Sequence, residues 1–322
     1  MGMDTTGCLS NLQPVKPHIS TNVPIIHGCD EFCSFCIIPY RRGRQVSREI
    51  NDIVNEITLL TKRGVKEVTL LGQTVDAYGH DLASRTDLSE LLQSVNRIDK
   101  LERIRFLTSH PIYMSNKIID SIANLSKVCE HILLPFQAGA DSVLKNMRRG
   151  YTKQEYINLV KKIRSQVPNV SMSTDVIVGF PGETQADFES TLDILEQIKF
   201  DKVHMAAYSA RPGTIAHRTM DDDVDLTEKR KRLKSVEQLQ EKISKEINAS
   251  LIGQCFDILV EGKHRNRWFG RTRTNKLVYF DSEDDMSGNV VKAHIYESSP
   301  WSLNGHVQGS ELYAIRGEQH GY

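Results

Sequence analysis

The chain has 322 residues, 39% hydrophobic and 25% charged, with 41 basic side chains against 41 acidic ones. That length accommodates about two domains, the balanced charge argues against wholesale coating of nucleic acid while leaving room for local basic patches, and no run of about 18 apolar residues is present to span a bilayer. No charged segment followed by an apolar stretch marks a secretory signal, and the six cysteines, three of them between Cys29 and Cys36, read as a metal site in a reducing cytoplasm rather than a disulfide framework.

Residues 1–21 show no period, carry Pro14 and Pro17, and read as a linker or tail. Asn22 to His27 is a strand candidate that ends at Gly28 and Cys29. Ile50, Ile53, Val54, Ile57 and Leu60 then fall at helical spacing. Val68–Leu71, Arg103–Thr108, His131–Phe136, Val170–Val178 and Lys202–Tyr208 read as strands. Between them lie helical patterns around Leu88–Val95 and Ile118–Leu125, and two helices opened by capping boxes, Thr152 with Glu155 and Thr184 with Asp187. Six strand–helix steps predict an α/β fold with a parallel sheet, a partial (β/α)6 barrel over residues 22–249, with its site on the loops at the C-terminal strand ends. Asp221, Asp222 and Asp223 precede a long charged helix, about Thr227 to Asn248. After Gly253 the texture changes to short β-type runs at Cys255–Val260, Leu277–Phe280, Val290–Tyr296, Gly305–Gln308 and Glu311–Ile315, which predict a small all-β module over residues 250–316.

The segment that carries chemistry is Gly28-Cys29-Asp30-Glu31-Phe32-Cys33-Ser34-Phe35-Cys36, a C-x3-C-x2-C pattern with an aromatic before the last cysteine. Three thiolates on one loop suit three irons of a 4Fe–4S cubane and leave the fourth iron free of protein ligands. The amino and carboxylate groups of S-adenosylmethionine can chelate that iron. An electron passed to the sulfonium then cleaves it to a 5′-deoxyadenosyl radical. A structural zinc site is the competing reading, but it takes four ligands, usually as two C-x2-C pairs, and no second pair exists; Cys129 and Cys255 are isolated and read as small buried hydrophobes.

With Ile37-Ile38-Pro39-Tyr40-Arg41-Arg42-Gly43-Arg44 following it, this loop resembles the radical SAM loop of the methylthiotransferases. The resemblance continues at Leu70–Gln73, Thr108–Pro111, Leu134–Gly139 with Leu144–Thr152, Asp175–Thr184 and Tyr208–Thr214, and the C-terminal module is similar to a TRAM domain, an RNA-binding β-barrel. Ser109-His110-Pro111 and Arg211-Pro212-Gly213-Thr214 resemble the branch that adds a methylthio group to C2 of N6-isopentenyladenosine at tRNA position 37. Branches acting on threonylcarbamoyl-adenosine tRNA or on ribosomal protein S12, or an inactive RNA-binding fragment, are the alternatives. The resemblance implies a 4Fe–4S cluster on Cys29, Cys33 and Cys36, S-adenosylmethionine as co-substrate, a reductant such as flavodoxin or ferredoxin, and an unidentified sulfur source. Family members carry three further cysteines in an N-terminal domain that holds a second cluster. Only Cys8 precedes Cys29 here, so the expectation is that this chain alone cleaves adenosylmethionine without completing methylthiolation.

By position and by resemblance, Gly72, Gln73, Gln137, Asp175 and Tyr208 are expected against S-adenosylmethionine, with ordinary polar satisfaction at strand ends as the alternative; Gly179, Pro181 and Gly182 shape a turn. Arg41, Arg42, Arg44 and Arg48 follow the cysteine loop and are expected to face tRNA phosphates. Lys263, Arg265, Arg267, Arg271 and Arg273 form a run without acids, interrupted by Trp268 and Phe269, in which cations would hold phosphates and aromatics stack on bases. The competing reading is an exposed hairpin with Trp268 in the core.

Overall fold

The computed structural model describes residues 18–307. They form two compact units, one up to Ser244 and one from Lys245, with the helix α9 (Leu226–Ala249) crossing that limit.

Six parallel strands build the first unit. They are β1 (Ser20–Pro24), β4 (Glu67–Leu71), β5 (Arg103–Leu107), β6 (His131–Leu133), β7 (Ser171–Val178) and β8 (Lys202–Ala207), ordered β1-β4-β5 and β6-β7-β8. Backbone bonds from Ser109 N to Leu133 O (3.1 Å) and from Cys129 N to Ile104 O (2.9 Å) join the two halves into one curved arc. The first five of these strands each lead to a helix on the outer face: α2 (Ile50–Lys62), α3 (Leu88–Asn96), α4 (Asn116–Asn124), α6 (Lys153–Gln166) and α7 (Gln185–Ile198). Both predicted capping boxes are formed, at Thr152/Glu155 and Thr184/Asp187. The buried aliphatic stripes of these helices, such as Ile53, Ile57 and Leu60 on α2, close on Val23, Val68, Leu70, Ile104 and Phe106 of the sheet.

The short α-helices α1 (Ile38–Arg42), α5 (Asp141–Asn146) and α8 (Ile215–Thr219) lie outside the sequence expectation, each too short to show a period. The predicted strand Asn22–His27 is divided. β1 ends at Pro24, and β2 (Ile26–His27) leaves the sheet to pair antiparallel with β3 (Val46–Ser47). Ile25, fully buried, is the hinge, its N–H bonded to Leu71 O and its carbonyl accepting from Arg48 N.

The second unit is a closed five-stranded barrel of β9 (Cys255–His264), β10 (Arg267–Thr272), β11 (Leu277–Phe280), β12 (Val290–Ser298) and β13 (Leu303–Val307), ordered β10-β11-β13-β12-β9. β10 was hidden within the basic run, and the strand expected at Glu311–Ile315 lies outside the described residues. Cys129 is buried as expected; Cys255 is exposed at the start of β9, because its side chain falls on the outer face of the barrel.

A buried ion pair sits inside the arc. Arg105 Nε meets Glu67 Oε2 at 3.0 Å, both side chains nearly inaccessible, and Ser20 Oγ donates to Glu67 Oε1 at 3.0 Å. Arg105→Met leaves the Glu67 carboxylate buried without its cation and is expected to lower stability by about 3–5 kcal/mol. Urea denaturation should show the loss, and adding Glu67→Gln should recover much of it.

Candidate active site

The cysteine loop leaves β2 through Gly28 and is tied down at three places. Cys29 N–H donates to Gly43 O (3.2 Å), which returns the loop onto its own base. Ser34 is fully buried: its N–H donates to Met147 O (3.1 Å), its hydroxyl to Asn146 O (2.7 Å), and its carbonyl accepts from Ala216 N (2.8 Å). The segment after α1 is held by Asp81, whose carboxylate accepts from Ser47 N (2.8 Å), Ser47 Oγ (2.6 Å) and Gln45 Nε2 (2.9 Å). Gly28 itself has φ of +70°, and a Cβ there would stand 2.1 Å from Arg44 O.

Cys29, Cys33 and Cys36 line one cavity of about 300 Å³, together with Gly72, Gln73, Gln137 and Asp175. Tyr208 lines an adjoining cavity of about 480 Å³ that shares Phe35, Cys36, Gln137 and Asp175 with the first. The residues named therefore gather around two adjoining cavities, although Asp175 lies within β7 rather than in the loop after it. Gly72 is small because β2 crosses over it; a Cβ would meet Ile26 Cγ2 at 1.9 Å. Two lining residues hold left-handed backbone without being glycine, Thr108 (φ +74°) and Gln137 (φ +70°). For a β-branched residue this is a costly conformation. It is held by Val75 N–H on Thr108 O (3.0 Å), and for Gln137 by bonds to Asp175 O and from Ile177 N (both 2.9 Å).

The sequence reading missed Arg149. Its side chain is 5% exposed, with Nη1 3.3 Å from Cys33 Sγ, Nη2 3.2 Å from Pro135 O and Nε 3.1 Å from the Tyr151 hydroxyl. Burial opposes its charge, but Tyr151 and Cys33 outweigh burial and keep it cationic. The signal lay in the Leu144–Thr152 stretch, where sequence gives no reason to prefer Arg149 over its exposed neighbour Arg148.

Burial pushes the Cys29 and Cys36 thiols up; hydrogen bonds from Thr74 and from the backbone only partly offset this. Asp175 is pushed up to about 6 by burial, with Arg149 opposing. His110 is pushed down to about 3 by burial and by Arg149, so the imidazole is neutral. Ser109 Oγ, His110 Nε2 and Gln137 Oε1 are buried without a hydrogen-bond partner on residues that line the cavity. Among the described residues no three His, Cys, Asp or Glu side chains converge on a point where one metal ion could sit. The three thiols instead surround a cavity, which suits a cluster whose thiolates bind separate irons.

The basic residues divide. Arg41 and Arg42 are exposed at the end of α1, and Arg44 is exposed with its Nε 2.9 Å from Asp30. Arg48, expected to face phosphates, is instead committed to Glu56 (2.6 Å) and Pro24 O (2.7 Å). In the barrel, Lys263 and Arg265 are exposed, Arg267 is half-buried with Asp281, and Arg271 pairs with Glu261. Arg273 is half-buried. Trp268, expected to stack on bases, is 8% exposed in the barrel core and donates Nε1 to Ser282 O (3.2 Å). The cause is strand alternation: Trp268, Gly270 and Thr272 point inward, while Arg267, Phe269 and Arg271 point outward.

Gly28→Ala is expected to unseat the loop and cut the iron bound after anaerobic reconstitution to less than about half, because both the left-handed φ and the Arg44 carbonyl exclude a Cβ. A pH effect follows from Asp76, which accepts from His110 N (2.8 Å) behind the cavity and is pushed up to about 8 by burial. The folded chain keeps this proton while the unfolded chain releases it near pH 4, so stability falls as pH rises from about 4 to about 8. Denaturation midpoints at pH 6 and pH 9 should therefore differ less for Asp76→Asn than for the parent.

The chain matches the Radical SAM superfamily over residues 23–195 and the TRAM domain over residues 249–308. It is 47% identical over 290 residues to a tRNA-2-methylthio-N(6)-dimethylallyladenosine synthase of Dehalococcoides mccartyi (strain ATCC BAA-2266 / KCTC 15142 / 195), covering 90% of this chain and 69% of that protein. To the protein of the same name from Roseiflexus sp. (strain RS-1) it is 49% identical over 298 residues, covering 92% and 63%. Among solved structures it is similar in fold to coproporphyrinogen III oxidase from Escherichia coli, a radical SAM enzyme, with a TM-score of 0.54 at 13% identity over 92% of this chain and 71% of that one. The radical S-adenosylmethionine methyltransferase TsrM from Kitasatospora setae gives a TM-score of 0.51 at 18% identity over 61% of this chain and 38% of that one. The chain belongs to the radical SAM superfamily and, within it, to the family of the tRNA-2-methylthio-N(6)-dimethylallyladenosine synthases.

Proposed function

We propose that this chain is the adenosylmethionine-cleaving and RNA-binding part of a tRNA methylthiotransferase, acting on C2 of N6-isopentenyladenosine at tRNA position 37. The observation that carries the reading is the meeting of three loop thiols with Gly72, Gln73, Gln137 and Asp175 around one cavity. Cys29, Cys33 and Cys36 hold the 4Fe–4S cluster, which when bound supplies the electron that splits S-adenosylmethionine. Arg149 places a buried positive charge 3.3 Å from Cys33 Sγ, at the wall of the cavity. Gln137, strained and short of a partner at Oε1, and Asp175 offer a hydrogen-bonding edge to the ribose and adenine of the co-substrate, and Tyr208 closes the adjoining cavity. Phe35, Ile38 and Pro135 line the same space and exclude water from it. Arg41, Arg42 and Arg44 stand beside the cysteine loop, where they hold phosphates of the incoming tRNA.

A flavodoxin or ferredoxin serves as reductant in this reading, and the sulfur comes from a donor beyond the cysteines discussed above. The setting is cytoplasmic; among the described residues no helix is long and apolar enough to cross a membrane.

The test is anaerobic reconstitution followed by reduction in the presence of S-adenosylmethionine. The parent is expected to bind about four irons and release 5′-deoxyadenosine, whereas Cys29→Ser, Cys33→Ser and Cys36→Ser each lose both by more than about tenfold. Parent protein that yields no 5′-deoxyadenosine contradicts the reading. Mass spectrometry of tRNA from a deletion strain tests the substrate: loss of methylthio-isopentenyladenosine is expected, and unchanged levels contradict it.

A further inference from the structure

With Trp268 inside the barrel, the aromatic surface of the second unit lies elsewhere. Tyr296 and His306 stack at 4.2 Å between centroids and 18° between planes, Tyr296 with 40% of its surface exposed and His306 exposed as well. Tyr296 occupies the register shift between Ile295 and Glu297, a bulge that turns its side chain outward onto the neighbouring strand. In β13, His306 is two residues from Asn304 and so shares its face. Asn304 is the ladder partner of Tyr279 on β11, and Tyr279 that of Phe269 on β10. Arg267 lies across this band, with its guanidinium 5.9 Å from the Tyr279 ring centroid and Nη1 3.1 Å from Asn304 Oδ1.

We propose that the outer face of β10, β11, β13 and β12 is a stacking track for unpaired RNA nucleotides, with the Tyr296–His306 pair as its principal platform. This rests on the tRNA reading above and assigns a surface to it. The band interleaves rings with the donors Arg267, Asn304 and His306 and carries no aliphatic side chain at these positions, which suits the flat, hydrogen-bonding faces of bases better than an apolar protein partner. Lys263 and Arg265, exposed at the β9–β10 turn next to Arg267, supply phosphate contacts at its edge. Asp281 and Glu297, bonded to Arg267 and to Asn304, keep those side chains in place between the rings.

The test is binding of the full chain to a fluorescein-labelled anticodon stem-loop RNA, followed by anisotropy across a range of salt. Tyr296→Ala and His306→Ala are each expected to weaken binding about tenfold, with thermal melting and the slope of affinity against salt unmoved, because stacking displaces no counterions. Tyr296→Phe should restore parental affinity. Arg265→Ala should instead flatten the salt slope. Parental affinity in Tyr296→Ala overturns the track, and so does a loss that Tyr296→Phe fails to rescue. A parent chain that does not bind the stem-loop overturns the tRNA reading and the track together.

Discussion

Ser34 is the point on which the site depends. It stands between two cysteines, is fully buried, and spends its N–H, hydroxyl and carbonyl on Met147, Asn146 and Ala216. Those partners belong to the segments that follow β6 and β8, so the loop that leaves β2 is pinned to the fourth and sixth strands of the arc. The loop carries Phe32 and Phe35 only half-buried, so apolar burial alone does not fix it. Its conformation is set by these backbone bonds, by the return bond from Cys29 to Gly43, and by the left-handed turn at Gly28. Without them, three thiols on nine residues would have no common cavity to face.

The same logic runs around the rim. A parallel arc delivers every strand end to one side, and connecting loops there are free of ladder geometry. Thr108 and Gln137 use that freedom at a cost, adopting positive φ that backbone bonds to Val75 and to β7 enforce. The chain is electrically neutral overall, yet the cavity wall carries the buried guanidinium of Arg149 against a thiol. Local arrangement therefore decides the electrostatics of the site where net charge says nothing about it.

Much of this was legible in the sequence. The C-x3-C-x2-C spacing, the alternation of strand and helix, and both capping boxes are local patterns with direct physical causes, and the structure forms each of these elements. What was not legible depended on partners distant in sequence. Asn22–His27 reads as one strand because its apolar pattern is continuous; only the pairing of Ile26 with Ser47 reveals the change of sheet. Arg149 and Arg148 are indistinguishable until one of them is seen buried against Cys33. Trp268 is a different case. The alternation Arg267, Trp268, Phe269, Gly270, Arg271, Thr272 carries the inward and outward assignment within the sequence itself, beneath the run of positive charge.

The central claim is that the three loop cysteines hold a cluster with one iron left open to S-adenosylmethionine. Electron paramagnetic resonance of the reconstituted, reduced chain tests it most directly. Titration with S-adenosylmethionine should shift the spectrum of the reduced cluster saturably, at about one equivalent per cluster. A cluster spectrum indifferent to S-adenosylmethionine would contradict the account.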